Sequence, residues 1–310
     1  MTDRGDVDSR ALIDELTVVV SGAGHEARFI VEEALGGAAG GRRPAVVPEA
    51  QAAAARAMAA RRAAGEPLQY ILGHWPFRML DLRVDRRVLI PRPETEQVVE
   101  VALGEARRLL GLRARAGGDG GLVAVDAGTG SGAIALALAT ELGAAGARQI
   151  WATDLSEDAL QVATVNLQAC ASGAAGLPEV VLAHGSWLGP LPESLRGLVD
   201  LVVSNPPYVA EGEWDELDPE VRGEPRQALV APPGREGAPG LADVEAVLEE
   251  ARQWLRRPGA VVVELAPQQA GPARAWARQL GYDEARVEPD LAGRPRALVV
   301  HLNEPPEGGQ

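Results

Sequence analysis

The chain has 310 residues, 46% hydrophobic and 24% charged, enough to bury one large core or two smaller ones and too apolar for disorder throughout. Its formal net charge is −14 and it contains no Lys, so the surface as a whole repels a phosphate backbone, which counts against direct binding of nucleic acid. A single cysteine, Cys170, excludes an internal disulfide; no Cys/His spacing resembles a metal site, no apolar run reaches bilayer length, and the acidic start M-T-D-R-G-D-V-D-S-R does not read as a signal peptide, so a cytoplasmic protein without metal or membrane partner is expected.

From about residue 9 to 72, apolar residues recur at helical spacing in S-R-A-L-I-D-E-L and A-R-F-I-V-E-E-A-L, and A-A-A-A-R-A-M-A-A-R-R-A-A-G runs strong helix formers to a Gly stop. This predicts a small helical domain over residues 1–74. Positions 68–91 alternate short apolar stretches with polar residues and end at Pro91, which predicts a β-hairpin, with 75–91 as the linker between domains. A helix then runs from P-R-P-E-T-E (91–96) to about 112 and breaks in a Gly-rich stretch. Strands at 122–126, 149–154, 180–184 and 198–204 alternate with helices from 132 and 157. Helices near 240–256 and 268–280 flank a strand at 259–265, and strands near 283–288 and 296–302 close the series. This alternation predicts an α/β domain over 92–303, a mostly parallel sheet with helices on both faces, followed by a mobile tail at 304–310.

The stretch V-D-A-G-T-G-S-G-A-I-A-L (125–136) puts a buried strand, a loop with Gly128, Gly130 and Gly132, and an apolar helix in succession, the pattern by which a backbone turns sharply and admits a ligand near a helix N-terminus. The next strand ends in Asp154, whose carboxylate suits the two hydroxyls of a ribose or, alternatively, caps the helical segment starting at Ser156. NAD and S-adenosylmethionine both fit that pair of features. Asp126, directly ahead of the loop, favours the second, because a carboxylate opposes a pyrophosphate and attracts an ammonium.

Beyond the fourth strand lies Ser204-Asn205-Pro206-Pro207-Tyr208-Val209, at the sheet edge where an α/β fold binds its ligands. An amide or aromatic amine is a poor nucleophile because its lone pair is delocalised. The Asn205 side-chain oxygen and the Pro206 carbonyl would accept both of its N–H bonds and aim the lone pair at a methyl donor, and Tyr208 would stack on the planar group. The two prolines fix φ and remove N–H donors from the turn.

With S-N-P-P-Y-V, G-T-G-S-G, V-L-I-P-R-P-E-T-E (88–96) and G-E-P-L-Q-Y-I-L-G (65–73) together, the chain resembles the bacterial N5-glutamine methyltransferases that modify peptide chain release factors. The resemblance implies a Rossmann-like class I methyltransferase domain with a seven-stranded sheet, a helical N-terminal domain for substrate recognition, S-adenosylmethionine as donor and S-adenosylhomocysteine as product. Its acceptor would be the glutamine of a Gly-Gly-Gln loop in class 1 release factors. Carried over by position, Gly128, Thr129, Gly130, Ser131, Gly132, Asp154 and Asn205 would hold the cofactor and Trp187 would border its adenine. Asn205, Pro206, Pro207 and Tyr208 would bind the glutamine, and Arg92, Glu94 and Thr95 would form a loop near the pocket. The chain departs from the family at Ser186, where many relatives are acidic, and at Pro239 and Pro295, where relatives often have Asp. The rival reading is a nucleic-acid amino-methyltransferase, since adenine N6 and cytosine N4 offer the same planar amine; the acidic charge and the lack of a basic, aromatic target-recognition region oppose it.

Overall fold

A computed structural model describes residues 6–37, 44–118, 120–173 and 176–303; the expected mobile tail at 304–310 lies outside the described residues. The chain divides into two units, Met1–Trp75 with Asp218–Gly223, and Pro76–Leu217 with Glu224–Gln310.

The first unit is helical. A short strand β1 (Val7–Asp8) leads into α1 (Ser9–Val19), whose first turn is capped by Asp8 accepting the Ala11 N–H at 2.8 Å. Then follow α2 (Gly24–Ala34), β2 (Val46–Val47), which pairs antiparallel with β1, and α3 (Glu49–Ala63). In α3 the alanines Ala52, Ala55 and Ala59 recur at helical spacing and are fully buried against Leu12, Leu16 and Ile30. Arg62 at the end of α3 donates to Glu26 of α2 at 2.7 Å and also to Glu220, which ties the sequence-distant segment 218–223 to these helices.

The hairpin expected over 68–91 is shorter than its sequence pattern. Leu68–Leu72 forms a helix, α4, entered from Pro67 and stopped by Gly73 at φ 79°, a left-handed cap that favours glycine. Only β3 (His74–Phe77) and β4 (Leu80–Arg83) pair as a hairpin. Val84, Val88 and Ile90 beyond it are buried without joining a strand. Their burial explains the strand-like alternation of the sequence.

The second unit continues with α5 (Pro93–Arg115), β5 (Leu122–Ala127), α6 (Ala133–Gly146), β6 (Ala147–Asp154), α7 (Glu157–Gly173), β7 (Glu179–His184) and β8 (Val199–Ser204). Two short strands, β9 (Val209–Ala210) and β10 (Val230–Ala231), pair with each other, followed by α8 (Ala242–Trp254), β11 (Leu255–Glu264), α9 (Ala270–Gln279), β12 (Glu284–Pro289) and β13 (Pro295–Leu302). Seven of these strands form one sheet in the order β12-β13-β11-β8-β5-β6-β7. All neighbours from β11 to β7 are parallel, while β13 runs antiparallel to both β11 and β12. The expected mostly parallel, seven-stranded sheet is therefore present, with its reversed strand second from one edge.

Alternate residues of the central strands feed two cores. Ala124, Leu201, Val203, Ala260 and Val262 face the α5 and α6 side, whereas Val125, Val202, Val261 and Val263 face α8 and α9. Burial on both faces is why these strands read as continuous apolar runs. No helix among the described residues is long and apolar enough to cross a membrane. Leu138 of α6 is fully buried in the first core. Truncation by Leu138→Ala is expected to cost about 2–5 kcal/mol, read in urea unfolding as a lower midpoint at unchanged slope.

Candidate active site

Three adjacent parallel strands end in register. Ala127 of β5 pairs with Ser204 of β8, and Ser204 with Val263 of β11, so the next residues along the three strands are Gly128, Asn205 and Glu264. With strands roughly 4.8 Å apart, the glycine loop, the amide and the carboxylate are brought side by side by backbone pairing alone. The Ser204 hydroxyl reinforces the join by donating to the Ala127 carbonyl at 2.6 Å. This edge lies between β5 and β8, where the strand order changes direction, the place at which open α/β sheets bind ligands.

The loop after β5 needs its glycines. Gly128, Gly130 and Gly132 all have positive φ, at 79°, 56° and 86°, a region that costs other residues roughly 1–2 kcal/mol. The N–H groups of Gly128 and Thr129 donate to the Thr153 carbonyl at 2.9 and 2.8 Å, and that of Gly130 donates to Asp154 Oδ2 at 2.8 Å. The other oxygen of Asp154 accepts from the Ser156 N–H at 2.8 Å, while α7 is capped by Ser156, whose Oγ accepts from the Ala159 N–H at 3.2 Å. Asp154 thus braces the glycine loop, and the capping role that the sequence offered as its alternative falls to Ser156.

A cavity of about 230 Å³ opens against this edge, and Gly128, Gly130, Asp154, Trp187, Asn205 and Pro207 line it. A side chain at Gly130 would meet open space, whereas a Cβ at Gly128 would lie 3.2 Å from the Trp187 ring. The indole is held over the loop from a left-handed backbone, φ 41°, with its carbonyl accepting the Thr153 hydroxyl at 2.6 Å. Ser186 also lines the cavity.

Asp126, Thr129, Ser131 and Gly132 do not line the cavity; they build the loop from behind. Asp126 is fully buried, its Oδ2 accepting from the Thr129 hydroxyl at 2.6 Å and the Ala135 N–H at 3.0 Å, and its Oδ1 is buried with no hydrogen-bond partner among the described residues. Burial raises its pKa from an ordinary 3.8 to about 7, against the pull of those two bonds.

Around the acceptor motif, Asn205 Nδ2 donates to Thr95 Oγ1 at 3.1 Å, and the Thr95 hydroxyl donates to Glu264 Oε2 at 2.7 Å. Pro207 faces the cavity, while Pro206 is buried and Tyr208 is half-buried, neither on the cavity wall. The Tyr208 carbonyl accepts from the Gln269 side chain at 3.0 Å, and its phenol pKa is pushed up by burial and by the Glu264 carboxylate. Gly240 passes so close that a Cβ there would lie 2.4 Å from the Tyr208 oxygen, at a φ of +63°. The carbonyl of the neighbouring Pro239 also accepts from Gln269, at 3.0 Å.

Of the loop residues Arg92, Glu94 and Thr95, Thr95 hydrogen-bonds the motif, while the charges of Arg92 and Glu94 act on Tyr208. Arg92 pairs with buried Glu224, which also accepts the Ile90 N–H at 2.9 Å, and Glu94 sits 3.5 Å from Arg294. Sequence reading missed Glu264 and Asp243. The first is a lone carboxylate closing the apolar run G-A-V-V-V-E, and that oddity is the available signal. Asp243, at the start of α8, lines the cavity, and burial raises its pKa.

Glu264 has a pKa raised from 4.5 to about 7, chiefly by burial, with the Thr95 bond and Arg296 opposing and Glu94 adding to it. A carboxylate raised in this way favours the fold most below about pH 4.5, and that stability is lost as pH rises through about 7. Glu264→Gln carries no such charge. Its melting temperature relative to the parent is expected to climb as pH is raised across that window, measured by calorimetry in a pH series; a constant difference would contradict the raised pKa.

A glycine loop at the switch point, an Asn-Pro-Pro-Tyr turn beside it and a sheet reversed only at β13 together define a class I methyltransferase. Residues 12–73 match the family model described as the PrmC N-terminal domain. The release factor glutamine methyltransferase of Vibrio cholerae serotype O1 is 38% identical over 240 residues, covering 77% of this chain and 75% of that protein. That of Moorella thermoacetica is 37% identical over 305 residues, covering 95% and 98%, and that of Streptomyces coelicolor is 40% identical over 239 residues, covering 76% of each. The chain belongs to the release factor glutamine methyltransferase family.

Proposed function

We propose that this protein transfers a methyl group from S-adenosylmethionine to the side-chain amide nitrogen, N5, of the glutamine in the Gly-Gly-Gln loop of class 1 peptide chain release factors. The observation that carries this reading is the placement of Asn205 and Pro207 on the same cavity as Gly128, Gly130, Asp154 and Trp187. Side chains suited to the cofactor and to the amide share one lining.

The residues fit the donor. Open space at Gly130 admits a ligand against the backbone, Asp154 offers a carboxylate for ribose hydroxyls, and the Trp187 ring offers a plane for an adenine. Asp154 and Asp243 both line the cavity and bring carboxylates to that side, which suits a ligand carrying an ammonium and a sulfonium. When bound, S-adenosylmethionine supplies an electrophilic methyl group.

The chain's own part is to make an unreactive amide attack. Asn205 Oδ1 and the Pro206 carbonyl accept the two N–H bonds of the glutamine amide, hold its nitrogen lone pair toward the cofactor side and stabilise positive charge developing on nitrogen. Tyr208, next to cavity-lining Pro207 but not itself on the wall, is assigned the stacking on the planar amide. No residue need act as a general base before transfer, because the alkylated amide is acidic and sheds its proton readily. The helical unit, residues 1–74, serves recognition of the protein substrate, and the net charge of −14 disfavours nucleic acid as acceptor.

Labelled S-adenosylmethionine incubated with a purified class 1 release factor should place label on the Gly-Gly-Gln glutamine and none on its Gln→Ala variant. Label on the variant, or on DNA alone, overturns the reading. Asn205→Ala should lower kcat by on the order of a hundredfold, about 2.7 kcal/mol, with cofactor affinity retained. Equal loss of cofactor affinity and turnover would make Asn205 a fold residue instead.

A further inference from the structure

Thr95 and Glu264 lie behind the cavity wall, yet their hydrogen bonds both lead to Asn205. A threonine hydroxyl has one proton to give and lone pairs to receive. Here the proton goes to Glu264 Oε2 at 2.7 Å, and the same oxygen receives Asn205 Nδ2 at 3.1 Å. An ionised carboxylate only accepts, so donation runs one way, from Asn205 to Thr95 to Glu264. Turning the Asn205 amide by half a rotation would set Oδ1 against a hydroxyl whose proton is already committed, acceptor against acceptor.

We propose that Thr95 and Glu264 are positioning residues that lock the Asn205 amide with its oxygen free for the substrate, so that the site takes a nitrogen that donates hydrogen bonds. The inference rests on the reaction proposed above and assigns a cause to the orientation that reaction needs. Both residues are built for it. Thr95 is 4% exposed and Glu264 0%, in the first turn of α5 and at the end of β11, so neither bond competes with solvent. Glu264 is faced by Thr95 and Glu94 from α5, by Tyr208 from the acceptor turn and by Arg296 from β13. Its second oxygen, Oε1, is buried and accepts no hydrogen bond of ordinary length from the described residues.

A proton on Glu264 Oε2 reverses the relay. The carboxylic acid then donates to Thr95, Thr95 donates to Asn205 Oδ1, and Asn205 presents its NH₂ to a substrate NH₂, donor against donor. Turnover should therefore have an acid limb governed by Glu264, which the burial of that group places near neutrality.

The test is steady-state methylation of a class 1 release factor with Thr95→Val, Thr95→Ser and Glu264→Gln. Thr95→Val keeps the shape and removes both bonds. It should lower kcat at least tenfold while calorimetric affinity for S-adenosylmethionine stays within about threefold, and Thr95→Ser should recover kcat to within about threefold of the parent. Glu264→Gln should lose the acid limb of the kcat–pH profile. If Thr95→Val fails to fold, the Thr95→Ser and Glu264→Gln comparisons still decide. A parent-like kcat in Thr95→Val, or an acid limb unchanged in Glu264→Gln, overturns the proposal while leaving the reaction standing. A parent enzyme that does not label the release factor refutes the reaction itself. The relay is then judged by NMR: the Asn205 NH₂ protons, assigned by their loss in Asn205→Asp, should exchange slowly in the parent and rapidly in Thr95→Val, and equal exchange rates would overturn it.

Discussion

Everything at the site depends on three parallel strands stopping together. Because Ala127, Ser204 and Val263 share one register row, the residues that follow them are set side by side by main-chain hydrogen bonds that a substitution in any loop cannot shift. A parallel strand slipped by one residue would exchange its two faces, sending Val202 and Val261 into the wrong core. The same packing that stabilises the sheet therefore sets the spacing between cofactor loop and acceptor turn. Rigid elements are a better foundation for such a constellation than loops, and the connecting segments here are pinned to the strands. Gly130 is tied to Asp154, Trp187 to Thr153, and Tyr208 to Gln269.

The site also holds several carboxylates in buried or half-buried positions. Asp126, Asp154, Glu224 and Glu264 all have pKa values raised by burial, so holding them charged is a cost to the fold. Each is set against a structural demand of the site: Asp126 and Asp154 brace the glycine loop, Glu224 holds Arg92 and the Ile90 backbone, and Glu264 receives Thr95. A cationic cofactor at their edge would offset part of that repulsion. The fold and its ligand are then linked, with binding expected to stabilise the protein by mass action.

Much of this was legible in the sequence because the relevant signals are local. The glycine spacing 128, 130, 132 and the run Asn205-Pro206-Pro207-Tyr208 sit within single turns, and the strands of the sheet announce themselves as short apolar runs between helices. What stayed hidden depends on pairing between distant segments. Glu264 gains meaning only once β11 is in register with β8, and Thr95 only once α5 lies against both. Leu68–Leu72 read as strand because its apolar residues face a core, and the Pro67 entry and the left-handed Gly73 were needed to show a helical turn. The reversal of β13 is likewise invisible to periodicity, which reports burial and not direction.

Segment 218–223 belongs with the N-terminal helices although it is encoded between the acceptor turn and β10. The polypeptide therefore passes between the two units three times, at 75–76, 217–218 and 223–224, where a bead-on-a-string arrangement would need one passage. The helical unit is not a detachable cassette. Cutting the gene after residue 75 would strip Arg62 of Glu220, and grafting foreign helices onto the N-terminus would leave a strand of chain with no home to return to. Sequence change in such a unit has to proceed by substitution within it, in step with a stretch of sequence more than a hundred residues downstream.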